Sequence, residues 1–163
     1  MPESVDIYIG LGSNQGNREQ LIEKAIEHLS VALGAPIQQS TIIETEPWGF
    51  ESDFPFLNMV SCFNCNLQPL ELLDLTEKTE KELGRTTKSS GGIYKDRPID
   101  IDILLYGNRV IESERLTIPH PRLHEMLFVL EPLKEISPQL VHPIFQKTIA
   151  ELTDSIKTDG KVY

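Results

Sequence analysis

The stretch Arg97-Pro-Ile-Asp-Ile-Asp-Ile-Leu-Leu-Tyr106 carries the clearest structural pattern in the sequence. Its isoleucines alternate with Asp100 and Asp102, and alternation of apolar and polar residues predicts a half-buried strand over 99–106. Successive side chains of a strand point to opposite faces of its sheet. We therefore expect both carboxylates on one face, with the isoleucines packed into a core on the other.

Helical and strand patterns flank this stretch on both sides. Residues 85–98 lack periodicity and are rich in Gly, Ser, Lys and Arg, which indicates a loop before the strand. The other predicted elements are a strand at 5–11, a helix capped by Asn17 and ended by Gly34, strands at 37–45 and 57–67, a helix from Pro69 to Gly84, and a helix near 146–156.

The order strand, helix, strand, strand, helix, strand predicts an α+β fold. Two helices on one face of a mainly antiparallel sheet satisfy it, which is the ferredoxin-like arrangement, here with C-terminal additions. No internal repeat, low-complexity tract or linker interrupts the chain. We therefore expect residues 1–163 to form a single domain.

Composition excludes several classes of function. The formal net charge is −10, which argues against binding duplex nucleic acid and against an RNA-binding ferredoxin-like domain. No apolar run approaches the roughly 20 residues of a membrane-spanning helix, and the N-terminus shows no signal-peptide pattern. We expect a cytoplasmic protein whose partners are small molecules rather than a membrane.

The two cysteines, Cys62 and Cys65, lie in the predicted strand 57–67. Residues i and i+3 of a strand point to opposite faces, so a disulfide between them is geometrically poor. No histidine stands at zinc-finger spacing from them. We expect structural cysteines.

Asp100 and Asp102 are the first candidates for chemistry. Asp is uncommon in strands, and two like charges side by side destabilise a sheet unless a cation offsets them. Mg²⁺ accepts one or two carboxylates and completes its octahedron with waters and phosphate oxygens. The alternative is the solvated outer face of an amphipathic strand.

Cations precede these aspartates in the aperiodic loop: Arg85, Lys88, Lys95 and Arg97. Arginine binds phosphate through two parallel hydrogen bonds, and basic side chains on a loop can close over a bound triphosphate. The alternative is a solvated basic loop on an acidic protein.

Three further segments are ambiguous. The aromatic residues of 45–58, with Asn58, suit a flat heterocycle or a core plug beneath a loop. The segment Gly10–Gly16 matches neither common phosphate-loop pattern and is interpreted as a structural turn. His120 stands between two prolines. A lone histidine is more often structural than catalytic.

Together these segments resemble the 6-hydroxymethyl-7,8-dihydropterin pyrophosphokinase family of folate biosynthesis. The motifs that carry the resemblance are Ile9-Gly-Leu-Gly-Ser-Asn14, Glu44-Thr-Glu-Pro-Trp-Gly49, Phe56-Leu-Asn58, Gly84-Arg85, Arg97–Tyr106, Leu116-Thr-Ile-Pro-His-Pro-Arg122 and Phe128-Val-Leu130. The resemblance implies a ferredoxin-like fold and transfer of diphosphate from ATP to a pterin hydroxymethyl group, with release of AMP.

The resemblance also implies roles for individual residues. Asp100 and Asp102 would bind two Mg²⁺ ions, and Arg85 and Arg97 would handle phosphate oxygens. The implied pterin site comprises Thr45, Glu46, Trp48, Phe56, Asn58 and Phe128. The implied nucleotide site comprises Glu80, Lys88, Tyr94, Ile103, Arg115, Thr117 and His120. We expect the enzyme to act as a monomer.

The chain departs from the family pattern in the loop and beyond it. Tyr94 stands where the family commonly has Trp, Met126 stands where it often has Arg, and residues 86–93 contain no Arg. These departures bear on loop closure and nucleotide affinity. They also leave open a non-catalytic domain that senses nucleotide or metal.

Overall fold

The computed structural model describes residues 4–45, 55–84 and 98–158. In chain order its elements are β1 (Val5–Ser13), α1 (Arg18–Leu33), β2 (Gln38–Gln39), β3 (Ile43–Thr45), β4 (Phe56–Cys65), α2 (Pro69–Glu82), β5 (Asp100–Tyr106), β6 (Ile111–Glu112), β7 (Thr117–Ile118), a 3-10 turn (Leu123–Glu125), α3 (Leu127–Ile136) and α4 (Ile149–Thr158). The predicted Glu46, Trp48, Arg85, Lys88, Tyr94 and Arg97 lie outside the described residues.

The main sheet has the strand order β2-β4-β1-β5, and β3 also pairs with β4. All of its pairings are antiparallel. The strand β1 therefore lies inside the sheet between β4 and β5, while β5 forms an edge. This arrangement confirms the predicted α+β, ferredoxin-like fold.

Each face of the sheet carries its own apolar core. Alternate side chains of β1, beginning with Ile7 and Ile9, pack with Ile101 and Ile103 of β5 against α1 and α2. On the opposite face Tyr8, Val60 and Leu104 pack against α3 and α4. The two C-terminal helices thus cover the sheet face that α1 and α2 leave open.

The helices α1 and α2 begin where their sequence signals predict. The Asn17 side chain accepts a hydrogen bond from the Gln20 amide at 3.2 Å, which satisfies an otherwise unpaired donor in the first turn. The Glu71 carboxylate accepts a hydrogen bond from the Gln68 amide at 2.8 Å, directly before Pro69. None of the helices among the described residues combines the length and apolar character that a membrane crossing requires.

The prediction of one continuous strand over 37–45 is wrong, because this segment forms two short strands, β2 and β3. Ser40 separates them because its hydroxyl accepts a hydrogen bond from the Val60 amide at 2.9 Å. Thr41 then turns towards α3, where its amide and hydroxyl both bond the Glu135 carboxylate. Ser and Thr side chains compete here with the strand ladder for backbone partners.

The C-terminal third is more helical than predicted. The helix α3 contains Pro132, a residue that normally ends a helix. Burial of Val129, Leu130 and Leu133 against the sheet offsets the hydrogen bond that this proline removes. The last helix begins at 149 because Thr148 and Glu151 form a reciprocal capping box.

Both cysteines are buried and free, as expected. Cys62 packs in the core beneath α3 and α4, and Cys65 packs in the core beneath α1 and α2. Burial raises the pKa of both thiols, so they remain protonated and unreactive at neutral pH. The prediction of structural cysteines on opposite faces is confirmed.

Leu29 tests how strongly the sheet depends on α1. We expect Leu29→Ala to lower the free energy of unfolding by about 2–5 kcal/mol, because Leu29 is fully buried in the core. Val31→Ala on the same helix is the matched control, since Val31 is 91% exposed. Urea unfolding measures both changes, and equal effects would contradict the described packing of α1.

Candidate active site

Predicted site residues of β4 and β5 lie in one row across the sheet, on either side of a glycine of β1. Asp100 of β5 stands opposite Gly12 of β1, and Gly12 stands opposite Asn58 of β4. Residues paired in this way share a face of the sheet. Neighbouring strands are about 4.8 Å apart, so the backbones of Asp100 and Asn58 are separated by about 10 Å across Gly12.

Gly12 leaves the middle of this row without a side chain, and Gly10 does the same between Val60 and Asp102. Gly10 stands opposite Asp102 as Gly12 stands opposite Asp100. A Cβ atom at Gly12 would lie only 2.8 Å from Asn58 Oδ1, whereas one at Gly10 would make ordinary contact with Leu104 at 3.5 Å. β1 extends two residues beyond the predicted strand 5–11, so the interpretation of Gly10–Gly16 as a turn is wrong for Gly12 and Ser13.

On the β4 side of the row, Asn58 is fixed by a neighbour. Its side-chain nitrogen donates a hydrogen bond to Thr45 Oγ1 at 2.7 Å. This bond sets the orientation of the amide, with Oδ1 above Gly12. Phe56 lies on the same face of β4, opposite Thr45, and Phe128 packs partly buried beside the α3–α4 core.

On the β5 side, Asp100 and Asp102 are half-buried on the face opposite the isoleucines. The outer edge of β5 is bonded by two other segments. Glu80 of α2 accepts a hydrogen bond from the Ile101 amide at 2.9 Å. The His120 amide donates one to the Leu104 carbonyl at 3.0 Å, which places the segment after β7 beside the aspartates.

The imidazole of His120 has a defined orientation. Its Nδ1 accepts a hydrogen bond from the Arg122 amide at 3.2 Å. In the neutral ring the proton then resides on Nε2, which is left as a donor. His120 is half-buried, so this donor is available to an anionic ligand at the edge of β5.

The other predicted nucleotide contacts lie in different surroundings. Arg115 Nη2 bonds Asp74 at 2.7 Å and Glu77 at 2.8 Å, and these hydrogen bonds raise the pKa of the guanidinium. The Ile103 side chain is buried in the α1–α2 core, so only its main chain can face a ligand. Thr117 is exposed on β7.

Arg18 is a residue whose position the sequence did not reveal. It donates from Nη1 to the Pro55 carbonyl at 2.9 Å and from Nη2 to Glu44 at 3.2 Å. These contacts join the two described ends that flank residues 46–54. A cation in the first turn of a helix interacts unfavourably with the helix dipole. The presence of Arg18 at that position was the sequence signal that its side chain has a tertiary partner.

A cleft of about 490 Å³ opens at this end of the sheet. It is lined by Asn14, Gln15, Gly16, Arg18, Glu44 and Pro55. Asn14 follows β1 directly, and Pro55 precedes Phe56. The residues that line the cleft therefore include the neighbours in sequence of β1, which carries Gly12, and of β4, which carries Asn58.

Met126, noted as a departure, belongs to the core. It is 2% exposed and packs with Leu123 and Leu130 in the α3–α4 cluster. The buried Met126 side chain therefore stabilises the start of α3. A cation there would have to leave the apolar cluster to reach a phosphate.

The carboxylate pair fits Mg²⁺. Two half-buried carboxylates lie on one face, and the glycines opposite them leave room for water and phosphate oxygens. Within the described parts of the chain, no group of three or more His, Cys, Asp or Glu residues is placed to enclose a metal. An ion held by two carboxylates and its substrate matches this donor set better than Zn²⁺ or Ca²⁺.

Comparison with known sequences places these features in a family. A family profile described as 7,8-dihydro-6-hydroxymethylpterin-pyrophosphokinase (HPPK) matches residues 8–138. A relative from Porphyromonas gingivalis, described as 2-amino-4-hydroxy-6-hydroxymethyldihydropteridine pyrophosphokinase, is 47% identical over 138 residues, covering 84% of this chain and 93% of the relative. A relative of the same description from Aquifex aeolicus is 45% identical over 145 residues, covering 89% and 88%.

Solved structures support the fold. A crystal structure of HPPK-DHPS in complex with substrates superposes with a TM-score of 0.78 at 15% identity, over 98% of this chain and 44% of that one. Plasmodium falciparum HPPK-DHPS A437G with SDX-DHP also gives 0.78, at 16% identity, over 99% and 48%. The chain thus spans less than half of these solved chains. By its sequence matches, the chain belongs to the 7,8-dihydro-6-hydroxymethylpterin-pyrophosphokinase family.

Proposed function

We propose that this chain transfers diphosphate from ATP to 6-hydroxymethyl-7,8-dihydropterin in folate biosynthesis, giving AMP and the pterin diphosphate. The observation that carries the proposal is the row Asn58–Gly12–Asp100. An amide suited to a heterocycle and a carboxylate suited to a metal–phosphate complex stand on either side of a glycine, which carries no side chain. This is the arrangement that joining a pterin to a phosphate chain requires.

The pterin lies on the β4 side in this proposal. The Asn58 amide, oriented by Thr45, would pair with the polar edge of the ring. Phe56 and Phe128 would hold its faces. Glu46 and Trp48, outside the described residues, would complete the pocket, largely through their main chains.

The triphosphate would lie on the β5 side, where Asp100 and Asp102 would hold two Mg²⁺ ions. When bound, these ions would neutralise charge on the phosphates and favour ionisation of the pterin hydroxyl. Arg85 and Arg97 would contact the phosphate oxygens. The remaining nucleotide contacts are proposed for Lys88, Tyr94, Ile103, Arg115, Thr117 and His120, whereas the buried Glu80 side chain bonds the Ile101 amide instead.

Positioning accounts for most of the proposed chemistry. The pterin hydroxyl would lose its proton to solvent, and its oxygen would attack the β-phosphorus in line with the bond between that phosphorus and the oxygen shared with the α-phosphate. That bond would break, and AMP would leave with the bridging oxygen. The side chains on the two sides of Gly12 hold the reactants at the separation that the row defines. The His120 Nε2 proton would stabilise negative charge on the phosphates from the outer edge of β5. No side chain is assigned as a general base.

We further propose one domain, a monomer and a cytoplasmic location. Both helix layers pack on the same sheet, which supports treating residues 1–163 as one domain. ATP is a cytoplasmic substrate, and two buried free thiols suit a reducing compartment.

The aspartates give the first test of this function. We expect Asp100→Ala or Asp102→Ala to reduce AMP formation roughly 100-fold or more, because each removes a charge that holds the metal–triphosphate complex. Asp154→Ala is the control, since this exposed carboxylate lies on α4, away from the site. Chromatography of the nucleotides measures the rate, and circular dichroism checks the fold. Near-normal turnover in either site variant would sink the assignment.

The glycine row gives the second test. We expect Gly12→Ala to raise the KM for the pterin about tenfold or more, because its Cβ would displace the Asn58 amide. Gly10→Ala is the matched control on the same strand, where the added methyl makes only ordinary contact. Steady-state kinetics at saturating ATP compare the two. A pterin KM unchanged in Gly12→Ala would show that Asn58 does not fix the ring.

A further inference from the structure

On the site face, the positions of β1 directly across from the two aspartates carry no side chains. In most antiparallel pairs, the side chain opposite a residue restricts its movement. Here the residues opposite Asp100 and Asp102 are Gly12 and Gly10. No side chain directly across the strand therefore helps to position the two carboxylates, and the backbone of β5 sets where each of these side chains begins.

The inner side of β5 is held by its ladder with β1, but β5 is an edge strand. In an antiparallel edge strand, alternate amides point away from the partner strand and need another acceptor. The Ile101 amide is one of these, and Glu80 Oε2 accepts its hydrogen bond at 2.9 Å. This amide belongs to the peptide group between Asp100 and Ile101, directly between the two aspartates.

Glu80 is unusual among the described acidic residues because its side chain is buried. It is only 3% exposed, on the side of α2 that faces the sheet. A buried carboxylate is costly unless hydrogen bonds satisfy it, and an ionised acceptor forms a stronger bond than a neutral one. Glu80 is thus well suited to fix one peptide group in place.

We propose that Glu80 is a positioning residue that fixes the backbone of β5, and through it the spacing of the Asp100 and Asp102 carboxylates that receive the metal–nucleotide complex. This role differs from a direct contact with nucleotide. It rests on the proposed function for its effect on catalysis, but the contact with Ile101 stands independently. Its loss would let the edge strand shift against the glycines of β1.

Two variants of similar size distinguish the role of Glu80 as a hydrogen-bond acceptor from its role in filling buried space. Glu80→Gln retains a side-chain oxygen that can accept the Ile101 hydrogen bond, whereas Glu80→Met fills the space with only a weak sulfur acceptor. Thr76→Ala is the stability control, because Thr76 is fully buried one turn away on α2 and its hydroxyl bonds only within the helix, to the Leu73 carbonyl. If Glu80→Met does not fold, Glu80→Asp replaces it, since it keeps the charge but shortens the reach.

Hydrogen exchange of the Ile101 amide, followed by NMR without ligand, is the first measurement. We expect exchange at least tenfold faster in Glu80→Met than in Glu80→Gln, with protection in Thr76→Ala close to that of the unchanged protein. The second measurement is calorimetric binding of a non-hydrolysable ATP analogue with Mg²⁺. We expect at least tenfold weaker binding in Glu80→Met and a change below threefold in Glu80→Gln.

Unchanged Ile101 protection in Glu80→Met would overturn the proposal, as would an equal loss of Mg²⁺-nucleotide binding in Thr76→Ala. Equal weakening in Glu80→Gln and Glu80→Met with normal Ile101 protection would assign Glu80 to direct nucleotide contact and also overturn it. Absence of AMP formation in the unchanged protein would refute the proposed function alone, because both measurements are made without turnover.

Discussion

The antiparallel ladder between β1 and β5 is the interaction on which the rest of the site depends. It sets Ile101 opposite Leu11, and both side chains enter the core beneath α1 and α2. Because side chains alternate, burial of these residues forces Asp100 onto the other face of the sheet. A shift of one residue would bury two carboxylates and expose the isoleucines, so the hydrophobic core fixes the position of the polar site.

The glycines convert this register into a binding surface. Gly12 leaves space between Asn58 and Asp100. The side-chain amide of Asn58 occupies part of that space, above the Cα atom of Gly12. The same glycines leave no side chain directly across from the aspartates. Contacts at the outer edge of β5, from Glu80 and from the segment after β7, hold the backbone of this strand. An open surface and a firmly held edge strand are therefore two consequences of one arrangement.

Much of this could be predicted because the signals were local. The alternation around Asp100 and the cap at Asn17 need only the sequence periods of strands and helices. The break at Ser40 and the helix through Pro132 could not, because each depends on tertiary contacts that outweigh local preference. The bonds of Arg18 and Glu80 join residues far apart in sequence. The spacing of Gly10 and Gly12 is visible in the sequence. Their place beside the candidate site residues could be recognised only from the pairing register of β1, β4 and β5.

The central claim is that this surface joins a diphosphate to a pterin. Phosphorus NMR of a reaction containing ATP, Mg²⁺ and 6-hydroxymethyl-7,8-dihydropterin tests it most directly, since the technique distinguishes every phosphate product. The account predicts AMP and a pterin diphosphate in equal amounts, with no AMP when the pterin is omitted. Formation of ADP, or consumption of ATP that does not depend on the pterin, would contradict it.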